Sequence, residues 1–297
     1  MSRRDSSGWS LVLFGEELSM IDIVISTCHS DQREIWKNTA ERLIKFVASH
    51  RYVVYVPDAE VGSFKRCTPS QIDVVPESQL LDEFIAVLDH KIMAACNTSR
   101  RGWYLQQFVK LAALFENQNL NQLLIWDSDT LPLRRLQFFD DLSGSPLYYF
   151  GDECHLPYLE CNKAILGLDR QIRRSFIAQC FPILGEDISA LRRFLELDDD
   201  PWWKLVLDNI DFSLESGFSE YEFLGTFVGS RSPSINFQVG KWTRNGYLLW
   251  KTPSTIPERL RYRGRHLDYA AFESWQSRNW RTRPKQIHAL YHSIRRT

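Results

Sequence analysis

The sequence predicts an α/β protein whose mostly parallel, Rossmann-type central sheet is flanked by helices. Three observations carry that reading. Short β-branched runs recur over residues 21–27, 52–56 and 72–75, and helical stretches alternate with them. A further apolar run, residues 123–126, ends abruptly in two aspartates. Strands that alternate with helices of ten or more residues pair in parallel, because a parallel neighbour is reached by a crossover and not by a tight turn.

The elements follow in order. Residues 21–27 read IDIVIST, which suits a buried strand. Asp31 stands where an N-cap belongs, ahead of a helical stretch over 32–49 that puts Ile35, Thr39, Leu43 and Phe46 on one face. Residues 52–56 (YVVYV) make a second strand, stopped by Pro57-Asp58, and 72–75 a third, stopped by Pro76-Glu77. The stretch 80–95 is helical by composition. Residues 103–114 (WYLQQFVKLAAL) form a helix whose apolar positions Trp103, Phe108, Leu111 and Leu114 leave Gln106, Gln107 and Lys110 to face elsewhere. LLIW at 123–126 and LYYF at 147–150 read as strands, and 188–197 and 202–209 as helices. Residues 176–181 are apolar, and the segment from Gly217 to Glu222 precedes another apolar run over 223–228. Three regions result: an N-terminal segment (1–19), a main α/β domain (20–230), and a basic, aromatic-rich region (231–297) packed on that domain or extending it.

Composition narrows the class. With 297 residues, 44% hydrophobic and 13% aromatic, the chain has ample material for a core and is not a disordered one. It holds no run of 18 apolar residues, and the first 19 residues lack the long apolar core of a signal peptide, so a cytoplasmic protein starting near residue 1 is expected. The six cysteines include no CxxC pair, so buried free thiols are expected. Cys154-His155 with Cys161 makes at most half a metal site. There is no P-loop, G-x-S-x-G or H-E-x-x-H motif. The net charge of −1 hides a split: residues 231–297 carry 14 Lys and Arg against three Asp and Glu, and the rest is acidic. Basic charge interleaved with Tyr262, Tyr269, Trp275 and Trp280 could suit a nucleic-acid strand, but the acidic body and the lack of any nucleic-acid motif make that partner unlikely. The basic region has two further readings of equal weight. It either faces an anionic acceptor or the anionic inner face of the membrane, or pairs with the protein's own acidic body.

The chemistry concentrates at Asp127-Ser128-Asp129. Carboxylates at i and i+2 point to opposite faces of a strand, but a turn at the strand's end brings them together. There they offer hard oxygen ligands to Mg²⁺ or Mn²⁺, and so to a diphosphate. The carboxyl edge of a parallel sheet is where such folds bind ligands. Two solvated turn aspartates are the plainer alternative.

Three motifs in order carry a resemblance. They are Trp103-Tyr104-Leu105-Gln106-Gln107 with Lys110-Leu111, then Ile125-Trp126-Asp127-Ser128-Asp129-Thr130, then Phe218-Ser219-Glu220-Tyr221-Glu222 with Gly225. Together they resemble the bacterial DUF6492 family over residues 20–230. Its members look like GT-A nucleotide-sugar glycosyltransferases. Leu224 stands where the family commonly has an aromatic. The resemblance implies a metal-dependent transferase that moves a sugar from a nucleotide-sugar donor to a glycan or lipid-linked acceptor, in surface polysaccharide or glycoconjugate biosynthesis. A catalytically inactive GT-A-like carbohydrate- or partner-binding protein is the alternative. In the transferase reading Asp127 and Asp129 hold Mn²⁺ or Mg²⁺ and the donor. Lys110 meets the donor phosphates, and Gln106 and Gln107 bond sugar or ribose hydroxyls, unless they are only a polar helix face. His29 and Asp31 follow the first strand, where the nucleotide docks. Glu220 is the general base, with Glu222 competing, unless Glu220 merely caps a helix through the Ser219 turn. Asp152, Glu153, Tyr221 and Glu222 are acceptor-side candidates, and His266 is a candidate third metal ligand.

Overall fold

The computed structural model describes residues 20–80, 83–196, 200–232, 234–250 and 266–273. The first half runs β1 (Ile21–Thr27), α1 (Arg33–Phe46), β2 (Ser49–Val56), α2 (Val61–Lys65), β3 (Ile72–Pro76), α3 (Phe84–Ala94), α4 (Arg101–Glu116), β4 (Gln122–Trp126) and β5 (Thr130–Pro132). The second half runs β6 (Leu147–Tyr148), α5 (Leu156–Leu166), β7 (Cys180–Leu184), α6 (Gly185–Leu195), α7 (Trp202–Asp208), α8 (Glu220–Arg231), β8 (Asn236–Phe237), β9 (Trp242–Thr243), α9 (Gly246–Trp250) and β10 (Tyr269–Ala271).

The central sheet has the order β3-β2-β1-β4-β7. The first four strands are mutually parallel, and β7 closes the edge antiparallel to β4. The mixed α/β class and the mostly parallel sheet are those the sequence predicts. The chain winds outward from β1 to β3, then returns to place β4 on the other side of β1. That reversal opens a crevice at the carboxyl ends of β1 and β4, the usual ligand position in such sheets. Alternate residues of each strand feed opposite faces. Ile23, Ile25, Val53 and Ile125 join Phe108 and Leu111 of α4 and Phe223 of α8 in one core. Val24, Val54 and Leu124 join Trp36, Leu43 and Phe138 in the other. Burial on both faces is why these strands read as near-continuous apolar runs.

Several local expectations are corrected. Asp31 is not the N-cap of α1. It lies in a 3-10 turn over Ser30–Gln32, and Gln32 takes the cap position without a side-chain cap bond. Helix α1 stops at Phe46, because Val47 turns extended and Ser49 starts β2, its hydroxyl donating to the Ile21 carbonyl at 2.9 Å. The strand expected over 147–150 is only two residues long and pairs with β8. All six cysteines are free, but Cys96 and Cys154 are exposed rather than buried.

Part of the basic C-terminal region is folded onto the body. Strand β10 pairs antiparallel with β5 and parallel with β9. Tyr269 donates its hydroxyl to the Ala178 carbonyl at 2.7 Å, and its ring centroid lies 5.4 Å from that of Trp126. Among the described residues no helix is long and apolar enough to cross a membrane.

Candidate functional site

A cavity of about 640 Å³ opens at the crevice between the ends of β1 and β4. Three segments meet there: the first turns of α4, the turn leaving β4, and the start of α8.

The turn after β4 is closed by Thr130, whose N–H donates to the Asp127 carbonyl at 3.0 Å. It brings both aspartates to the cavity wall, as the i, i+2 spacing requires. On the other side, the Asp127 N–H donates to the Gln179 carbonyl at 3.0 Å. Gln179 holds φ +63°, a left-handed conformation that is costly for a residue with a Cβ.

Lys110 projects from α4 into the interior. Its Nζ donates to Asp127 Oδ1 at 2.5 Å and to Glu220 Oε1 at 2.7 Å. The Tyr221 hydroxyl donates to the same Asp127 Oδ1 at 2.6 Å. Burial alone would depress the ammonium, but Asp127 and then Glu220 more than offset it and hold Lys110 above its ordinary range. Burial raises the Glu220 carboxyl and Lys110 opposes that rise. Burial, with Asp127 and Glu220, also raises the Tyr221 phenol well above its usual value. Lys110 is therefore the counter-charge of the carboxylates rather than a lysine that reaches freely for phosphate.

Asp129 is the other extreme. Burial first, then Asp127 and Glu273, push its carboxyl up to about 8. The Thr130 hydroxyl donates to it at 3.4 Å. Among the described residues no group of three or more His, Cys, Asp or Glu side chains is placed to hold a metal ion. Two carboxylates nevertheless fit Mg²⁺ or Mn²⁺ when phosphate oxygens complete the shell, since Mg²⁺ is commonly held in that way. A divalent cation would also offset the Asp127 and Glu273 charges that add to burial in raising Asp129.

Helix α8 is positioned by its own cap and by α4. The Ser219 side chain accepts from the Glu222 N–H at 3.4 Å. Glu220, in the first turn, faces the positive end of the helix. Its N–H donates to Gln107 Oε1 at 3.0 Å, and Gln107 Nε2 donates to the Trp103 carbonyl at 3.1 Å. Gln107 is thus a bracket between two helices, although it also borders the cavity.

The cavity gathers most of the residues singled out from the sequence: His29, Asp31, Gln106, Gln107 and Lys110, then Asp127, Asp129, Glu153, Glu220 and Tyr221. Burial lowers the His29 imidazole, whose Nε2 lies 4.0 Å from Glu77. Three residues lie off the cavity. Asp152 and His266 are exposed side chains outside its lining. Glu222 is buried in the core, where it accepts a short hydrogen bond from Ser175 and lies 3.8 Å from Arg170. Its one-turn spacing from Ser219 serves the cap, not the cavity.

Other lining residues escaped sequence reasoning. Arg244 pairs with Glu153 in a short contact and lies 3.7 Å from Glu273, which accepts from Gln179 Nε2 at 3.2 Å. Arg244 and Glu273 come from a stretch without periodicity. Gln179 has a backbone geometry that its residue type does not announce. Trp103, an apolar position of α4, packs against the core and also borders the cavity.

A family described as "Family of unknown function (DUF6492)" matches residues 19–231. No curated protein matches the chain.

Proposed function

The chain belongs to DUF6492, and we propose that it is a metal-dependent glycosyltransferase of GT-A type. It would move a sugar from a nucleotide-sugar donor to a glycan or lipid-linked acceptor. One observation carries the reading: the Asp127–Asp129 turn, neutralised from below by Lys110 and bordered by Glu220, faces a cavity at the switch point of the sheet.

Asp127 and Asp129 are the residues that would hold Mn²⁺ or Mg²⁺, which supplies charge neutralisation on the donor diphosphate. Lys110 keeps Asp127 aimed, and Tyr221 bonds the same oxygen. His29 and Asp31 border the nucleotide end. Glu220 accepts the proton of the acceptor hydroxyl as that oxygen bonds to the anomeric carbon. The bond from that carbon to the diphosphate breaks, and its electron pair leaves with the nucleoside diphosphate. Glu153, held by Arg244, belongs to the acceptor side.

The test is a melting curve with Mn²⁺ and, in turn, UDP and GDP, followed by a hydrolysis screen over the corresponding sugar donors. One nucleotide is expected to raise the melting temperature, and EDTA, Asp127→Ala or Asp129→Ala to abolish the rise. Glu220→Gln is expected to keep the rise and lose transfer. A rise that survives both alanine variants would remove the metal assignment. Silence across all donors would favour a GT-A-like binding protein without turnover.

A further inference from the structure

We infer that Trp103 and Tyr158 form an aromatic subsite for a sugar ring of the acceptor, which makes the acceptor a glycan; this rests on the transferase reading above.

The subsite stands on how its walls are built. Trp103 lies in the first turn of α4, half-buried, and borders the cavity. The Arg100 guanidinium lies 4.2 Å from the indole centroid. It is not a roaming charge. Its Nε donates to the Glu215 carbonyl at 2.7 Å and its second nitrogen to Ser216 Oγ at 2.9 Å. The indole is therefore backed by a pinned cation. The Ser216 carbonyl meets His155 Nε2 at 2.9 Å. The imidazole of His155 lies edge-on to the Tyr158 ring, centroids 4.4 Å apart. One loop residue thus ties the Trp103 wall to the Tyr158 wall. Gly102, next to Trp103 in the chain, borders the same cavity, and a Cβ there would meet nothing within 4 Å.

Such a slot has the chemistry of a pyranose. A sugar ring offers an apolar C–H face and an equator of hydroxyls. Aromatic rings bury the first, and a few placed polar groups fix the second. Gln106 and Glu153 border the same cavity and are hydroxyl partners of that kind. A lipid phosphate would ask for free cations, but Arg100 is spent on the loop and the indole.

The probe is a printed oligosaccharide array read with the full chain, with and without Mn²⁺ and the nucleoside diphosphate. Wild type and Trp103→Phe are expected to bind at least one oligosaccharide. Trp103→Ala is expected to bind it roughly tenfold or more weakly. Gly102→Leu, which enters open space and improves helix propensity, is expected to weaken it without loss of melting temperature. An array on which wild type binds nothing overturns the subsite, as does equal binding by Trp103→Ala. So does loss of the nucleotide-induced melting shift in Trp103→Ala, which would give the indole to the donor's base. Oligosaccharide binding without any nucleotide shift would leave the subsite standing and remove the transferase reading.

Discussion

Lys110 shows how one side chain can tie two segments of a site together. Its ammonium is the bonded counter-ion of both Asp127 and Glu220. Lys110→Met would leave the buried Glu220 and the half-buried Asp127 without it, so a loss of about 3–5 kcal/mol is expected in urea unfolding, because breaking a buried pair costs far more than the pair is worth. Residue types and the strand-end position made Asp127, Asp129 and Glu220 legible in the sequence. What each one bonds was not, because partners in space are set by helices far apart in the chain. Lys110 facing carboxylates rather than phosphates is the clearest case. Glu77 gives a pH prediction outside the Asp127–Asp129 pair. Burial pushes its carboxyl from 4.5 up to about 7, with Arg101 opposing and Asp58 adding. The folded state then holds this proton more tightly than the unfolded state does, so stability falls as pH rises from 4.5 to about 7. Glu77→Gln should match wild type near pH 4 and exceed it at pH 8 by at most roughly 3 kcal/mol, read from melting curves across that range.

Among the elements, α8 is the most constrained. Every residue from Glu220 to Gly229 is buried, so this helix has no solvent face. Gly225 lets it lie against Phe176, whose ring a Cβ would overlap. Alanine in a helix normally gains about 1 kcal/mol over glycine. Here Gly225→Ala should instead cost about 1–3 kcal/mol through overpacking, visible as a lower denaturation midpoint. The three parallel strands β1, β2 and β3, with β4 and helix α4, were legible because burial on both faces leaves long apolar runs. Strand β7 was not, because an apolar run carries no record of its direction, and its pairing with β4 is antiparallel. The cap of α1 was misread for a related reason. Asp31 has the right side chain, but the chain spends it inside a tight 3-10 turn before the helix starts.

At the scale of the whole molecule, the split between an acidic body and a basic end is partly reconciled in the fold. Arg231 pairs with Asp187 at 3.0 Å, and Arg244 pairs with Glu153. Both acids belong to the body. Tyr269 anchors the end region. It is fully buried, and its ring lies 4.9 Å from that of Tyr149 and 5.5 Å from that of Trp242 by centroid. Tyr269→Ala should cost about 3–5 kcal/mol. If the end region also shapes the cavity, the variant should lose the nucleotide-induced melting shift as well as stability. The pairing of β10 with β5 also has a temporal side. The Phe272 N–H donates to the Asp129 carbonyl at 2.8 Å, so the Asp127–Asp129 turn is tied to a segment that is synthesised long after it. Chains emerge from the ribosome N-terminus first and fold as they appear. The parallel sheet can therefore assemble while the cavity still lacks a wall, and that wall is added only after the chain through Glu273 has emerged.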